Sequence, residues 1–401
     1  SLTGCSTDIR SRCNYPMQKP PEDYRNRPQH PPSTDHQPIN CNLPAMMKPY
    51  ALLLAALLSC PVLFAQKPDR VPPEVMRQTY EEVKTPYKYG LIMIPEPGKM
   101  IDSPSIFRDN GKWFMTYIVF DGKGYESWLA ESADLLHWKT LGRIMSFTDG
   151  TWDATQKAGY IALQDTEWGG RNAPEPFEDY YWMSYIGGSA TGYEAGKLGI
   201  GIARTKTPAE AREWERLRGP VLSAEDTDAR WFETDVLYKS TIIRDPDLNT
   251  GHPFVMFYNA KSKLRPNNRG IERIGMAVSN DMRHWKRFGD QPVIDNGAGI
   301  TGDAQIVRIG DLWVMFYFGE GWRPGAFDQF ACSYDLKNWT RWEGENLISP
   351  SESFDNQYAH KPMVLKYDGV VYHFYNAVDK QGNRGLALAT SQPVGKSELS
   401  Y

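Results

Sequence analysis

Five short segments place chemically able side chains at the starts of strand-like stretches. They are Asp102-Ser103-Pro104-Ser105-Ile106, Asn172-Ala173-Pro174-Glu175-Pro176-Phe177, Glu233-Thr234-Asp235-Val236-Leu237, Gly302-Asp303-Ala304-Gln305-Ile306 and His360-Lys361-Pro362-Met363-Val364. The first four carry a carboxylate and the fifth a His-Lys pair. Carboxyls crowded together raise one another's pKa, so one can hold a proton while another stays ionised. That division is what general acid and general base work requires. Each residue also has a plainer role open to it. Asp102 can cap a turn ahead of Ser-Pro, and Glu175, following Pro, can be a rim residue. Glu233 and Asp235 stand two apart on one strand and share a face, so either can reach a common centre. His360-Lys361 can contact a ligand, position a water or pair with Asp303. Trp168, Trp231 and Trp322 lie in loops near strand starts, where they can stack on a ligand or pack a loop.

A repeat carries these segments. Its first part is a hydrophobic strand seen at Trp113-Phe114-Met115-Thr116-Tyr117, Tyr181-Trp182-Met183-Ser184-Tyr185, Phe254-Val255-Met256-Phe257-Tyr258, Trp313-Val314-Met315-Phe316-Tyr317 and Val371-Tyr372-His373-Phe374-Tyr375. Its second part is a strand, a polar turn and a Trp, ending at Trp138, Trp214, Trp285 and Trp339. The fifth copy, Leu386-Ala387-Leu388-Ala389-Thr390-Ser391, stops before any Trp. Asp109-Asn110-Gly111, Glu178-Asp179, Asp245-Pro246-Asp247, Gly310-Asp311 and Tyr367-Asp368-Gly369 mark the intervening hairpins, since such residues tolerate positive φ. Each unit therefore reads as a four-stranded antiparallel sheet. Five sheets that cannot bury both faces alone pack radially, which predicts an all-β, five-bladed β-propeller of four-stranded blades. The strand before each hairpin is expected to be innermost, and only Thr207–Trp214 carries a short helical period.

On these residues the chain resembles glycoside hydrolase family 43 and its five-bladed relatives, among them family 130-like enzymes. Asp102-Ser103-Pro104-Ser105-Ile106 with Gly111-Lys112-Trp113-Phe114 looks like the family's first-blade opening. Ala173-Pro174-Glu175 before Tyr180-Tyr181-Trp182 is similar to its second-blade motif, and Glu233 stands where its third-blade acid begins. Ser103 is an insertion before Pro104, and Asn172 replaces the family's Trp. The resemblance implies Asp102 as general base, Glu175 as orienting carboxylate and Glu233 as general acid. Asp235, Asp303, His360, Lys361 and Trp322 would contact substrate. Cleaving a glycosidic bond through an oxocarbenium-like state needs one protonated and one ionised carboxyl, and exo action with inversion is the expected course. The other readings are a mannoside phosphorylase, recruiting Lys239, Arg273, Arg323, His360 and Lys361 for phosphate, and a non-catalytic glycan-binding propeller. No cofactor or metal ligand set is implied, although clustered Asp residues would accommodate a structural Ca²⁺.

Of 401 residues, 45 are Lys or Arg and 49 Asp or Glu, a net charge of -4 that offers no basic excess for nucleic acid. The aromatic share of 13% suits a β-rich core or a sugar-binding surface. Residues 1–46 read as a disordered upstream extension, 47–65 as a signal peptide cleaved after Ala65, and 66–401 as the propeller. Leu57-Leu58-Ser59-Cys60 offers a lipoprotein box as an alternative, and export to the periplasm or beyond is expected either way. After cleavage at Ala65 only Cys332 remains, so no internal disulfide can form.

Overall fold

Asn110 (φ 46) and Gly111 (φ 81), like Asp368 (φ 49) and Gly369 (φ 77), take the paired positive φ of a tight hairpin, as their types predict. The computed structural model describes residues 68–263 and 270–401. The expected extension and signal peptide lie outside them.

Helix α1 (Pro73–Val83) comes first, followed by β1 (Tyr87–Met93). The first strand group is β2 (Met100–Asp109), β3 (Lys112–Phe120), β4 (Tyr125–Ser132) and β5 (Lys139–Met145). The second is β6 (Gln156–Ile161), β7 (Tyr181–Gly188), β8 (Gly199–Thr205), β9 (Glu215–Arg216) and β10 (Leu222–Ser223). One parallel pairing, Tyr125 with Gln156, joins these groups into a nine-stranded sheet. The third group is β11 (Val236–Arg244), β12 (Phe254–Lys261), β13 (Glu272–Ser279) and β14 (Lys286–Arg287), and the fourth is β15 (Ile300–Ile309), β16 (Leu312–Glu320), β17 (Ala326–Ser333) and β18 (Thr340–Arg341). Both are four-stranded antiparallel sheets. The last group, β19 (Tyr358–Tyr367), β20 (Val370–Val378) and β21 (Arg384–Thr390), is completed by β1, which pairs antiparallel with β21. That return of the first strand explains why the fifth repeat needs no Trp-led strand of its own.

The core lies between successive groups. Strand alternation sends Trp313, Met315 and Tyr317 of β16 toward Ile243, Val255 and Phe257, while Val314 and Phe316 meet Val364 and Val371. Phe107 and Phe114 meet Met183 and Trp214, and Ile106 and Met115 meet Met363 and Phe374. Each fully buried Phe or Met contributes about 1.5–3 kcal/mol. The repeated polar turn is one device used three times. Ser132, Ser279 and Ser333 accept from the backbone N–H of Asp134, Asp281 and Asp335. The residue after each Asp, Leu135, Met282 or Leu336, takes positive φ. The following Trp138, Trp285 and Trp339 donate back to the carbonyls of those residues.

Two expectations are corrected. Thr207–Trp214 forms turns, and the helix is α1 instead. The first strand of the second group is β6, not 172–177. Pro174 and Pro176 cannot donate to a ladder, and 162–180 forms a loop stitched by isolated bridges such as Gln164 with Pro174. Among the described residues no helix is long and apolar enough to cross a membrane.

Candidate active site

The first strands of three groups share a bulge near their start. Pairing is interrupted between Asp102 and Ser105, between Gly302 and Gln305, and between His360 and Met363. Within each bulge one residue takes positive φ: Ser103 (46), Asp303 (58) and Lys361 (65). A neighbouring group fixes two of them. Asn376 of β20 accepts from the Ser103 N–H at 2.8 Å, and Asn259 of β12 accepts from the Asp303 N–H at 2.7 Å while donating 2.7 Å to its carboxylate. Phe318 occupies the repeat position of those asparagines beside the last group and meets the His360 ring edge-on at 5.2 Å. The inserted Ser103 is thus the extra residue of a bulge.

These bulges open into a cavity of about 210 Å³. Asp102, Asp303, His360 and Lys361 line it, as expected from sequence, together with Glu194, Glu272, Glu320, Lys239, Arg384, Tyr125, Tyr193 and Tyr238. Lys361 Nζ donates to both oxygens of Asp102, at 2.9 and 3.0 Å, and Arg384 Nη1 donates to the same carboxylate. Burial alone would raise the Asp102 pKa, but Lys361 and Arg384 hold it far below the usual carboxylate range. Lys239 lies 3.7 Å from Asp303. Burial, with Lys361 and Arg384 nearby, pushes His360 well below its ordinary value, so its ring is neutral.

Two carboxyls have the opposite character. Burial and the charge of Glu194 push Glu272 up to about 8. Burial raises Glu194 as well; the cation of Lys361 opposes this, and Asp102 and Asp303 add to it. The Tyr125 hydroxyl donates to Glu194 at 3.3 Å, and Lys261 lies 3.6 Å from Glu272. At neutral pH the cavity therefore holds a protonated Glu272 beside other carboxyls, an arrangement able to give and take protons. Among the described residues no group of three or more His, Cys, Asp and Glu side chains is arranged to hold a metal ion.

Four of the residues expected at the site, Glu175, Glu233, Asp235 and Trp322, do not line the cavity. Glu233 is completely buried, with Arg230 Nε at 2.8 Å and Arg287 Nε at 2.6 Å. Burial raises its pKa, but those arginines and the Tyr258 hydroxyl outweigh this and leave it lowered, so it holds no proton to give. Glu175 pairs with Arg171 at 2.7 Å and Arg244 at 3.5 Å. The N–H of Asp235, two residues on from Glu233, donates to the Lys261 carbonyl. Trp322 donates to the Ile300 carbonyl at 2.9 Å and packs against Phe327, so it fills a loop. Nor do the phosphate candidates converge. Arg273 pairs with Asp295 at 2.8 Å, and Arg323 donates to Gly344 and Asn346.

Glu194, Glu272 and Glu320 escape a reading of the sequence for a directional reason. In an antiparallel sheet the second strand ends, and the third begins, at the edge where the first begins. Glu320 ends β16, Glu272 and Arg384 open β13 and β21, and Glu194 lies in the loop joining β7 to β8. The repeat singles out only the starts of first strands.

Loop 162–175 lies across later positions of the first strands. Gln164 donates to the Ile106 carbonyl, Leu163 N–H to Ile242, Trp168 N–H to Arg308, and Asn172 to Lys366. Those positions line a second cavity of about 50 Å³ that shares Tyr160 and Lys239 with the first.

No family model matches this chain, and no curated protein does. Two solved structures, one a glycoside hydrolase and one a complex of BT0996 with RGII, are each 49% identical to it. Each covers 83% of this chain and 99% of its own, and superposes with a TM-score of 0.80. A thermostable family-43 glycoside hydrolase, 15% identical, covers 75% of this chain and 96% of its own at a TM-score of 0.55, a likeness of fold.

Proposed function

This chain belongs to the glycoside hydrolases, and we propose that it removes a terminal sugar, with Glu272 as proton donor and Glu194 as its partner carboxylate. The observation that carries the reading is the carboxyl of Glu272, pushed up to about 8 in a cavity it shares with Glu194. A carboxyl of that pKa is protonated at neutral pH and can protonate a departing glycosidic oxygen. Glu194, with Lys361 favouring its ionised form, takes the proton of water if the course is inverting, as the sequence suggests. Asp102 is unsuited to the base role assigned to it, because Lys361, Arg384 and the Ser103 hydroxyl already occupy its oxygens. It orients the two cations instead.

Exo action is favoured by loop 162–175, whose hydrogen bonds reach four first strands behind the cavity. Hydrolysis is favoured over phosphorolysis because Lys361 and Lys239 each face a carboxylate already. Five blades are favoured by the five strand groups, with the nine-stranded sheet counted as two joined at one residue pair. Export rests on the apolar run of residues 47–65 and is checked by locating the protein in cell fractions.

The test is turnover of a panel of aryl glycosides and of RGII, which accompanies a 49% identical relative in its structure, with and without phosphate. Glu272→Gln should lower kcat by about 10²–10⁴-fold, most on substrates with poor leaving groups, and phosphate should not alter the product. Full activity of Glu272→Gln would refute the assignment.

A further inference from the structure

Among the carboxylates lining the cavity, Glu194 alone sits in a loop rather than on a strand. It holds φ at 48°, and Gly192 (φ 126) and Gly196 (φ 72) flank it. Such a segment needs fixing from outside if its carboxylate is to stay in place. The fixing comes from the start of β6. Gln156 Nε2 donates to the carbonyls of Ala190 and Gly192, each at 2.8 Å, and Thr155 Oγ1 donates to Ala190 at 2.7 Å. The backbone of Gln156 pairs with Gly188, where the loop departs, and with Tyr125, whose hydroxyl reaches Glu194. One residue therefore touches both supports of that carboxylate.

Gln156 is completely buried, and its own Oε1 has no partner among the described residues. An unpaired buried carbonyl is costly, and a leucine of similar size would avoid that cost. What leucine could not supply is the pair of N–H donors to the loop. We infer that Gln156 is a positioning residue for Glu194, its two amide donors setting loop 189–197 so that Glu194 stands opposite Glu272. The inference rests on the catalytic assignment above and adds a residue remote from the reacting atoms.

The experiment compares Gln156→Leu and Thr155→Val with the unaltered protein and with Glu194→Gln. Gln156→Leu should lower kcat by about 10- to 100-fold, the effect of misplacing a reacting group by about 1 Å. KM should stay nearly constant, and the acid limb of the pH–kcat profile should move as Glu194 changes surroundings. Tm should hold or rise, because the orphan carbonyl is gone. Thr155→Val, losing one bond to the loop, should show a smaller fall in kcat, and it carries the test should Gln156→Leu fail to fold. Unchanged kcat and acid limb in these variants would overturn the inference, as would a loss of activity that only follows a fall in Tm. Full activity of Glu194→Gln would instead overturn the catalytic assignment beneath it.

Discussion

Carboxyls in this protein divide by the company they keep. Asp102 and Glu233 are both buried, yet paired cations leave both ionised. Glu272 is buried with a carboxylate for company and keeps its proton up to about 8. If its protonated form is the working one, kcat should fall as pH rises through about 8, a limb that Glu272→Gln abolishes. The sign is reversed for the stability of Asp102. A carboxyl depressed by folding stabilises the fold above its unfolded pKa, about 3.9, and that stabilisation is lost as pH falls below it. Glu233→Gln strips Arg230 and Arg287 of a shared counter-charge in the interior, and breaking such a pair costs about 3–5 kcal/mol. Thermal unfolding should shift accordingly, while kcat of the folded fraction stays near that of the unaltered enzyme. A collapse of kcat without loss of stability would restore the role that the resemblance gave Glu233.

The sheets and their turns are legible in the sequence because each is written locally. Asn-Gly and Asp-Gly pairs mark hairpins, alternation marks strands, and the Ser-x-Asp-Leu/Met turn with its trailing Trp marks the outer edge. Asp335 shows how local the code is: one oxygen accepts from the N–H groups of Lys337 and Asn338, at 2.9 and 2.8 Å. Asp335→Ala should cost about 1–3 kcal/mol in denaturant unfolding and leave kcat alone. What cannot be read locally is which strand ends meet. Asp102, Asp303, His360 and Lys361 stand out because first strands, each followed by a marked hairpin, carry them. Glu194, Glu272 and Arg384 reach the same cavity from returning strands and a joining loop, where no hairpin signal points to them. The second group misleads for a different reason. Its first strand and its hairpin are separated by the long loop 162–180, so the segment just before the hairpin is not the strand.

At the scale of the whole molecule, the last sheet is finished by strand β1 from the other end of the described chain. Five backbone pairings tie β1 to β21, and Ser397 N–H adds a bond to the Tyr89 carbonyl. Removing residues through Met93 uncovers Leu386 and Leu388, which pack with Tyr89, Ile92 and Met93, and leaves β21 as a bare edge. Such a truncation should be insoluble or aggregate on purification, checked by size exclusion against the full chain. Soluble monomer with native circular dichroism would show that β1 is dispensable. The loop laid across the back of the cavity has a consequence of another kind. A polymer cannot be threaded through a chamber with a single doorway, so the freed unit must back out the way it entered and the shortened chain must let go after every cut. Degradation then proceeds in separate encounters, each chain trimmed a little before any is consumed.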